Sequence, residues 1–510
     1  MKHNLLTEPL IQSDAGWHSL PDLMVAMTRG EVAAFPALRP HQRPAWHMFL
    51  VQLATLALDA AGLRDLPEGE TDWAAALRAL TPGHDDDAPW HLVVEDRARP
   101  AFLQPPDPGA LRWPEVPTPD ALDMLITSRN HDLKARIAQR AAPQDWVFAL
   151  VSVQTMEGYG GAGNHGIARM NGGSSSRAML TLAPLDDAAA PINPSRWWAR
   201  DVQRLLEARS GVRGIALVWT EPWPEGRALS LEALDPLFIE ICRRVRLIER
   251  NGGLAGQRST SKAARVAAKE ANGVVSEGGD PWAPIFIDAR SAKTLTLGER
   301  DWSYRLLVEL LHSGNWRLPF LARPSPSEEF RPMAIIAEAF SRGNSKTDGF
   351  RSRIVPVPKG LIRGFFGDEA IDLSKAQIED VSSVEKILRN GLALVAAEGD
   401  HEKRGKAEYA RAAPALAEFQ GFADRHFFGA LWAQMQAQTD DARSQARLDF
   451  IRQLGRAAEA EFHRALPAIP CARIMRPRAE LRGYWALRGG LRRLVKKIDA
   501  GEELHATESA

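Results

Sequence analysis

Residues 373–397 read LSKAQIEDVSSVEKILRNGLALVAA, and this stretch sets the character of the last part of the chain. Apolar side chains recur in it at helical spacing, and prolines are scarce from about residue 370 until the 460s. The same pattern continues through three further segments, residues 403–436, 440–465 and 476–499. Because each amphipathic helix must bury its apolar face, the sequence predicts a four-helix bundle over residues 366–510.

The preceding part of the chain mixes helix and strand signals. Pro44 can begin a helix, because its missing N–H costs nothing in the first turn, and Asn193-Pro194 is a second such start. Strand character is predicted for three short apolar runs, residues 147–153, 214–220 and 353–357. The predicted fold class is therefore α+β, with a large mixed α/β domain over residues 1–365 ahead of the bundle.

Composition and charge limit the function classes. The chain has 510 residues, with 64 Lys and Arg against 64 Asp and Glu, and 2 Cys. A neutral chain is a poor candidate for a free-standing, nonspecific nucleic-acid binder. Two cysteines exclude a disulfide framework and a four-cysteine zinc site. No apolar run reaches the ~20 residues that cross a bilayer, and no secretory signal is recognisable, so we expect a soluble cytoplasmic protein.

The most unusual local feature is the segment GYGGAGNHG, residues 158–166. Its glycines formally satisfy the G-x-G-x-x-G pattern of dinucleotide-binding folds, which requires the third glycine to open a helix. The residues that follow, up to NGGSSS at 171–176, favour a loop, so the dinucleotide interpretation fails. Two interpretations stay open: a flexible surface loop, or a slim backbone that approaches a ligand and presents N–H donors.

Two short motifs suggest enzymatic chemistry, and both are weak. His131-Asp132 is similar to part of a metal-dependent nuclease site, yet the 13 histidines are scattered, with no second pair at ligand spacing on a helix. Residues 343–347, GNSKT, end like a phosphate-binding loop but lack the glycine that must precede the lysine. We therefore expect no catalytic residue, no metal and no cofactor.

Basic residues concentrate in three clusters, at residues 129–140, 242–269 and 473–497. For any one cluster, a solvated helix face is the ordinary explanation. Three clusters on a neutral chain favour instead a local surface that contacts phosphates.

Four short motifs stand in order along the chain. They are NLLTEP at residues 4–9, PAFLQ at 100–104, the glycine segment 158–161 followed by NGG at 171–173, and ADRHFF at 423–428. Together they resemble the CasA family, the large subunit of the type I-E CRISPR surveillance complex Cascade. The order of the motifs, the chain length and a mixed region ahead of a helical bundle all agree with this resemblance.

The resemblance implies a noncatalytic DNA-recognition subunit. Such a subunit inspects duplex DNA for the protospacer-adjacent motif, helps to open the duplex for pairing with the CRISPR RNA, and later docks a helicase–nuclease. Its partners are the other Cascade subunits with their RNA. A minor groove ~6 Å wide admits a bare glycine backbone or a thin side chain, which agrees with this role.

The family's functional residues map onto this sequence position by position. Gly158 and Gly161 match the glycines of the DNA-reading loop. Lys269 is the candidate for the lysine that enters the minor groove, with Lys262 as the alternative. The predicted DNA-contacting residues are Gly158, Tyr159, Gly160, Gly161, Lys269, Asn344, Ser345 and Lys346.

Two further elements follow from the resemblance. Asn344 matches the family's asparagine at the wedge that separates the DNA strands. Ser345 stands where many members carry glutamine, so either the tip is shorter or Lys346 takes over. Residues 126–146 occupy the place of the exposed loop that contacts the RNA-bearing part of the complex. The predicted contacts in that loop are Arg129, Asn130, His131 and Lys134.

Two other classes of protein stay open. The first is a protein-only scaffold, in which the glycine segment is a plain linker. The second, less favoured, is a metal-dependent nuclease built on His131-Asp132. In the favoured interpretation the bundle supplies protein–protein contacts, and its Arg-rich last helix guides the displaced DNA strand.

Overall fold

The computed structural model describes residues 1–107, 109, 111–123, 141–187, 190–209, 214–343 and 346–500, without the side chains of 342–343 and 346–348. The chain divides into two units. The first comprises Met1–Trp302 and Ser313–Pro356, and the second comprises Ser303–His312 and the chain from Val357 onward. The first mixes helices and strands and the second is helical, which confirms the α+β class.

The described residues of the first unit contain five α-helices and many short strands. The helices are α1 (Leu20–Thr28), α2 (Arg43–Ala60), α3 (Glu70–Arg78), α4 (Pro143–Met156) and α5 (Pro194–Ala208). The strands are β1 (Lys2–Asn4), β2 (Ile11–Ser13), β3 (Gly16–His18), β4 (His91–Val93), β5 (Glu115–Val116), β6 (Met179–Pro184), β7 (Ile215–Leu217), β8 (Leu229–Ser230), β9 (Leu234–Ile239), β10 (Arg244–Arg250), β11 (Gly253–Ser259), β12 (Val266–Ala267), β13 (Ile285–Ile287), β14 (Ala292–Thr294), β15 (Trp316–Arg317), β16 (Met333–Gly343) and β17 (Lys346–Val357).

These strands form small sheets rather than one large one. Three sheets have three strands each, in the orders β10–β11–β5, β14–β13–β15 and β17–β16–β6. In the last of these, β6 and β16 are antiparallel, with Met179 opposite Glu338 and Pro184 opposite Met333. The other sheets are pairs: β1–β4, β2–β3, β7–β9 and β8–β12. Long loops therefore carry much of the backbone of this unit.

Helix α2 forms the centre of the first unit. Every residue from Pro44 to Asp59 is buried, so the helix is covered on all sides rather than on one apolar face. Trp46 packs edge to face against Phe148 of α4, with ring centroids 5.0 Å apart, and the Trp198 indole of α5 donates to the carbonyl of Leu50 at 3.2 Å. The predicted helix starts at Pro44 and Asn193-Pro194 are confirmed.

The strand predicted over residues 147–153 is wrong, because these residues lie inside helix α4. The helix is buried from Trp146 to Met156, and a continuous apolar run fits a buried helix as well as a buried strand. Of the other two predicted strands, 353–357 lies in β17 and is confirmed. Residues 214–220 form strand β7 followed by a 3₁₀ turn at Val218–Thr220, so that prediction is half confirmed.

The second unit is built from four long helices and three short ones among its described residues. In chain order they are α6 (Tyr304–His312), α7 (Ile362–Phe365), α8 (Asp368–Ala396), α9 (Lys406–Ala410), α10 (Ala413–Gln436), α11 (Asp440–Ala465) and α12 (Arg476–Asp499). Helix α8 packs against α10, α11 and α12, and α11 packs against both α10 and α12. The four predicted bundle helices are confirmed, with the second divided into α9 and α10 just before Pro414.

Helix α6 belongs to this unit although it comes earlier in the chain. The ring of Tyr304 stacks on Phe427 of α10 with centroids 4.4 Å apart, and the Tyr304 N–H donates to the Asp424 carboxylate at 2.7 Å. None of the helices in the described part of the chain combines the length and apolarity needed to span a bilayer.

Candidate nucleic-acid interface

The glycine loop, residues 157–166, connects helix α4 to a buried segment, and internal hydrogen bonds hold it in one conformation. The N–H of Gly158 donates to the carbonyl of Ser175 at 3.0 Å, and that of Tyr159 donates to Gly173 at 2.8 Å. The N–H of Gly160 donates to Asn164 at 2.9 Å. These hydrogen bonds attach the loop to residues 173–175.

The glycines of the loop serve different purposes. A Cβ on Gly158 would lie 2.6 Å from the carbonyl oxygen of Gly173 and would also overlap that of Ser175, so this glycine is required for packing. Gly161 has a φ of +106°, and a Cβ built on it meets no atom within 4 Å. The side of Gly161 that lacks a side chain therefore faces open space, where a ligand can approach the backbone.

A buried arginine holds the base of the loop. Arg243 donates from Nη2 to the carbonyl of Gly158 at 2.8 Å, and from Nη1 to the carbonyl of His165. It also pairs with Glu157 at 2.9 Å. Burial lowers the pKa of Arg243, but the neighbouring Cys242 and Glu157 outweigh this and raise it. Arg243 therefore stays charged and ties both ends of the loop together.

A second buried ion pair links the loop to the segment that follows Lys269. Arg177 donates to both carboxylate oxygens of Asp280, at 2.7 and 2.9 Å. Burial raises the pKa of Asp280, but Arg177 and Arg169 outweigh this effect and leave the pKa below its usual value. The carboxylate is thus ionised at neutral pH, and the pair fixes the strand leaving the loop.

The basic cluster at 242–269 is not one phosphate-contacting surface, contrary to the prediction. Four of its arginines are buried and donate to backbone carbonyls: Arg243, Arg244, Arg246 and Arg265. Two of them also pair with acids, Arg243 with Glu157 and Arg244 with Glu225. Burial lowers the pKa of Arg246 and that of Arg265 to about 10, so both guanidinium groups remain charged. Of the rest, Arg250 pairs with Glu115 and Arg258 donates to the Asn164 side chain, while Lys262 and Lys269 are exposed.

A groove of about 1150 Å³ lies beside the glycine loop, and we call it the loop groove. The loop contributes Tyr159, Ala162, Gly163 and His165 to one wall, and residues 258–262 form another. The Tyr159 side chain is 47% exposed. The loop groove is therefore open, with apolar and polar residues in its lining and an aromatic side chain at its edge.

The two candidate lysines lie in different local settings. Lys262 lines the loop groove and directly follows Ser261, whose N–H donates to the carbonyl of Gly163 at 3.0 Å. Lys269 begins a 3₁₀ turn, and the Gly273 that follows packs against the backbone of Arg169 and Met170. Both lysine side chains are exposed, so exposure does not choose between them.

The predicted wedge is reached through strand β16. Phe340 of β16 exchanges hydrogen bonds with Ser176, and its carbonyl accepts from the Ser175 hydroxyl at 2.5 Å. The strand is therefore attached to the segment that supports the glycine loop. Asn344 and Ser345 lie outside the described residues, and Lys346 begins β17 without a described side chain.

Residues 126–140 of the predicted RNA-contacting loop also lie outside the described residues, and Arg129, Asn130, His131 and Lys134 are among them. The last part of that prediction is wrong, because residues 143–146 belong to helix α4. In the part of the chain that is described, no group of three or more His, Cys, Asp or Glu side chains is arranged to hold a metal ion.

The C-terminal basic cluster presents exposed basic side chains, whereas four arginines of the cluster at 242–269 are buried. On helix α12, Leu481 and Trp485 are 57% and 58% exposed. Exposed basic side chains surround them: Arg478, Arg482, Arg492, Arg493 and Lys496.

Three solved structures are similar to this chain over nearly its whole length. The CRISPR-associated protein Cse1 from Acidimicrobium ferrooxidans has a TM-score of 0.65 at 16% identity, covering 98% of this chain and 99% of that one. CasA from Thermus thermophilus has a TM-score of 0.65 at 15% identity, covering 98% and 100%. Cse1 from Thermobifida fusca has a TM-score of 0.63 at 14% identity, covering 98% and 99%. This chain therefore has the fold of the Cse1 and CasA large subunits.

At the level of sequence, no family model matches the chain, and no curated protein matches it either.

Proposed function

We propose that this chain is the noncatalytic large subunit of a type I-E CRISPR RNA-guided surveillance complex, and that its glycine loop reads the protospacer-adjacent motif in duplex DNA. The Cse1 and CasA fold, which extends over the whole chain, supports this proposal. The other subunits and their CRISPR RNA are its partners in the cytoplasm. After target binding, the subunit recruits the helicase–nuclease that cuts.

The observation that carries the proposal is the form of the glycine loop. Its base is fixed by the hydrogen bonds of Gly158 and by Arg243, while Gly161 presents bare backbone to open space. A minor groove ~6 Å wide accepts such a backbone but excludes most side chains. Readout there is degenerate, because A·T and T·A present the same acceptors, so the subunit should tolerate several motif sequences.

Lys269 complements the loop in this proposal. Its side chain is exposed, and its ammonium group can donate to the acceptors on the minor-groove floor. Duplex opening is assigned to the tip of the β16–β17 hairpin, with Asn344 at the wedge and Ser345 or Lys346 at its end. Unstacking one step there costs a few kcal/mol, which pairing with the guide RNA offsets.

The test is a gel-shift titration of the RNA-loaded complex, assembled with and without this chain, on motif-bearing and motif-scrambled duplexes that carry a matched target. We expect the chain to create motif-dependent binding. If binding is the same with and without it, the scaffold interpretation replaces the proposal.

Two variants then locate the readout. Lys269→Gln should weaken binding to the motif-bearing duplex about tenfold, within the ~1–3 kcal/mol of a base-edge contact. Binding to a target whose strands are already separated should stay near normal, because no motif has to be read there. Equal losses on both substrates would contradict the assignment.

Gly161→Leu should have a larger effect on the same duplex, because the added side chain fills the open space at the loop. Gly252→Leu is the matched control. Gly252 also has a positive φ, +76°, and no atom within 4 Å of an added Cβ, but it lies in the turn between β10 and β11. The backbone strain is then similar in both variants, and only Gly161→Leu should lose motif-dependent binding.

A further inference from the structure

Three backbone N–H groups at the tip of the glycine loop have no hydrogen-bond acceptor among the described residues: those of Gly161, Ala162 and Gly163. Gly161 and Gly163 have φ values of +106° and +73°, on either side of Ala162. Consecutive N–H groups in a backbone that alternates in this way form a small concavity that binds anions. The tip therefore offers donors to an anion.

Two cationic side chains line the loop groove beside these donors. Lys262 and Arg112 are both exposed, and neither forms an ion pair with a described residue. Arg258 lines the groove too, but its guanidinium already donates to the Asn164 side chain at 2.8 Å. The groove thus combines the N–H groups of Ala162 and Gly163 with two positive charges that no described acid pairs with.

An acidic side chain, Glu225, also lines this groove, and its charge is already balanced. Its carboxylate lies 3.2 Å from the guanidinium of Arg244, and it accepts the backbone N–H of Lys262 at 2.5 Å. The net charge of the side chains that line the groove is therefore positive.

We infer that the loop groove holds backbone phosphates of the bound DNA, with Lys262, Arg112 and the N–H groups of Ala162 and Gly163 as their ligands. The inference rests on the proposed function only for the identity of the polyanion. A groove of about 1150 Å³ is larger than one phosphate needs, which agrees with a length of DNA backbone. Phosphate contacts fix the register of a protein on the duplex but carry no sequence information.

The two lysines then have different tasks, although the sequence offers them as alternatives for one task. Lys269 reads the motif, and Lys262 anchors the DNA backbone. The difference is measurable, because a phosphate contact contributes to binding of every sequence and releases a counterion.

The test uses the complete RNA-loaded complex with the double variant Lys262→Gln/Arg112→Gln. Duplex affinity is measured as a function of KCl concentration, on motif-bearing and motif-scrambled DNA. We expect affinity at low salt to fall about tenfold or more on both duplexes, and the slope of log K against log [salt] to fall in magnitude by about 2. Arg29→Gln is the control, because it removes one exposed positive charge that does not line the loop groove, and it should leave the slope unchanged.

Neutral DNA backbones supply an independent measurement. Duplexes with single methylphosphonate linkages around the motif should reveal one or two positions at which the complex with the unaltered chain loses affinity. At these positions the double variant should show no further loss, because the ligands of that phosphate are already gone.

The outcomes separate this inference from the proposed function. An unchanged salt slope overturns the inference, and so does a loss confined to motif-bearing DNA, which would mean that the groove reads sequence. A folded double variant that fails to join the RNA-loaded complex also overturns it, because the phosphates would then belong to the RNA. If the unaltered chain shows no motif preference while the slope change persists on both duplexes, the phosphate site stands and only motif reading fails.

Discussion

Buried arginines are frequent in the first unit, whereas every arginine in the described part of the second unit keeps some exposure to solvent. The buried arginines of the first unit are Arg169, Arg177, Arg200, Arg243, Arg244, Arg246 and Arg265. The two units have similar interiors in other respects, since each is filled with aromatic and aliphatic side chains. The difference lies in how each satisfies its buried backbone carbonyls.

In the first unit, loops bring carbonyl groups into the interior that no helix or sheet satisfies. Arg246 donates to the carbonyls of Val94, Asp96 and Arg99 at 3.1 to 3.3 Å. Arg265 does the same for residues 218–222. A guanidinium has five N–H donors in a fixed plane, so one side chain can satisfy several carbonyls at once. The glycine loop is held by Arg243 in the same way.

In the second unit, the helices satisfy their own carbonyls, and stability depends on how closely they approach. Helices α8 and α12 approach closely where Gly391 and Gly483 meet. A Cβ on Gly483 would lie 2.8 Å from the Gly391 carbonyl oxygen and 2.6 Å from a methyl group of Val395. The comparison therefore predicts that the stability of the first unit depends on its buried arginines, and that of the second on small residues where helices cross.

The largest expected effect is that of Arg246→Met. The change removes the donor to the buried carbonyl of Val94 and to the part-buried carbonyls of Asp96 and Arg99. A buried acceptor left unsatisfied costs ~1–3 kcal/mol and a part-buried one costs less, so the free energy of unfolding of the first unit should fall by about 3 kcal/mol. Urea unfolding followed by tryptophan fluorescence measures this, because all tryptophans except Trp432 and Trp485 belong to the first unit. Arg478→Met, on an exposed bundle position, should change stability by at most ~0.5 kcal/mol. Similar losses of stability in both variants would show that the buried arginines do not distinguish the first unit from the second.

The same difference explains what the sequence could predict. The bundle helices were placed within a few residues, because helical periodicity is a local property that a single sequence displays. Strands of two or three residues, such as β5 or β8, carry no such signal. Residues 147–153 of helix α4 have the apolar pattern of a buried strand, because a helix that is buried on all sides has no amphipathic pattern.

The candidate site also has a part that the sequence can predict and a part that it cannot. Residues 158–161 could be found from the resemblance, and they do form an ordered loop. The hydrogen bonds by which Arg243 holds the glycine loop could not be predicted from the sequence, because RRVRLIER at residues 243–250 has the composition of a solvated patch. Whether Arg246 is buried depends on carbonyls of residues 94–99, about 150 positions earlier in the chain. Only the tertiary structure brings the two together.

An intermediate effect is expected for Gly483→Ala. Overpacking at the α8–α12 crossing should destabilise the second unit by about 1–3 kcal/mol, although alanine has the better helix propensity. Gly489→Ala on the same helix meets no atom within 4 Å and should stabilise the unit by about 0.5–1 kcal/mol. Thermal unfolding followed by circular dichroism at 222 nm distinguishes them. A gain in both variants would show that the helices do not depend on this approach.

The smallest effect concerns pH, and here the two units should behave alike. Burial lowers the pKa of His47 below 6.5, an effect that the hydrogen bond to Asp201 only partly offsets, and Arg200 and Arg43 lower it further. Burial also lowers the pKa of His312 in the second unit, against the hydrogen bond to the Phe365 carbonyl.

The sign follows from proton binding. Just below pH 6.5 each histidine binds a proton in the unfolded chain but not in the folded one. The stability that the neutral buried imidazole contributes is therefore complete above pH 6.5 and is lost on acidification. Each group changes the free energy of unfolding by at most ~1.4 kcal/mol per pH unit. Urea titrations between about pH 7.5 and 5.5 should show His47→Gln flattening the dependence seen by fluorescence, and His312→Gln the one seen by circular dichroism. If His47→Gln leaves the fluorescence-detected slope intact, the buried imidazole is not what makes the first unit sensitive to acid, and the buried arginine–carboxylate pairs become the groups to test.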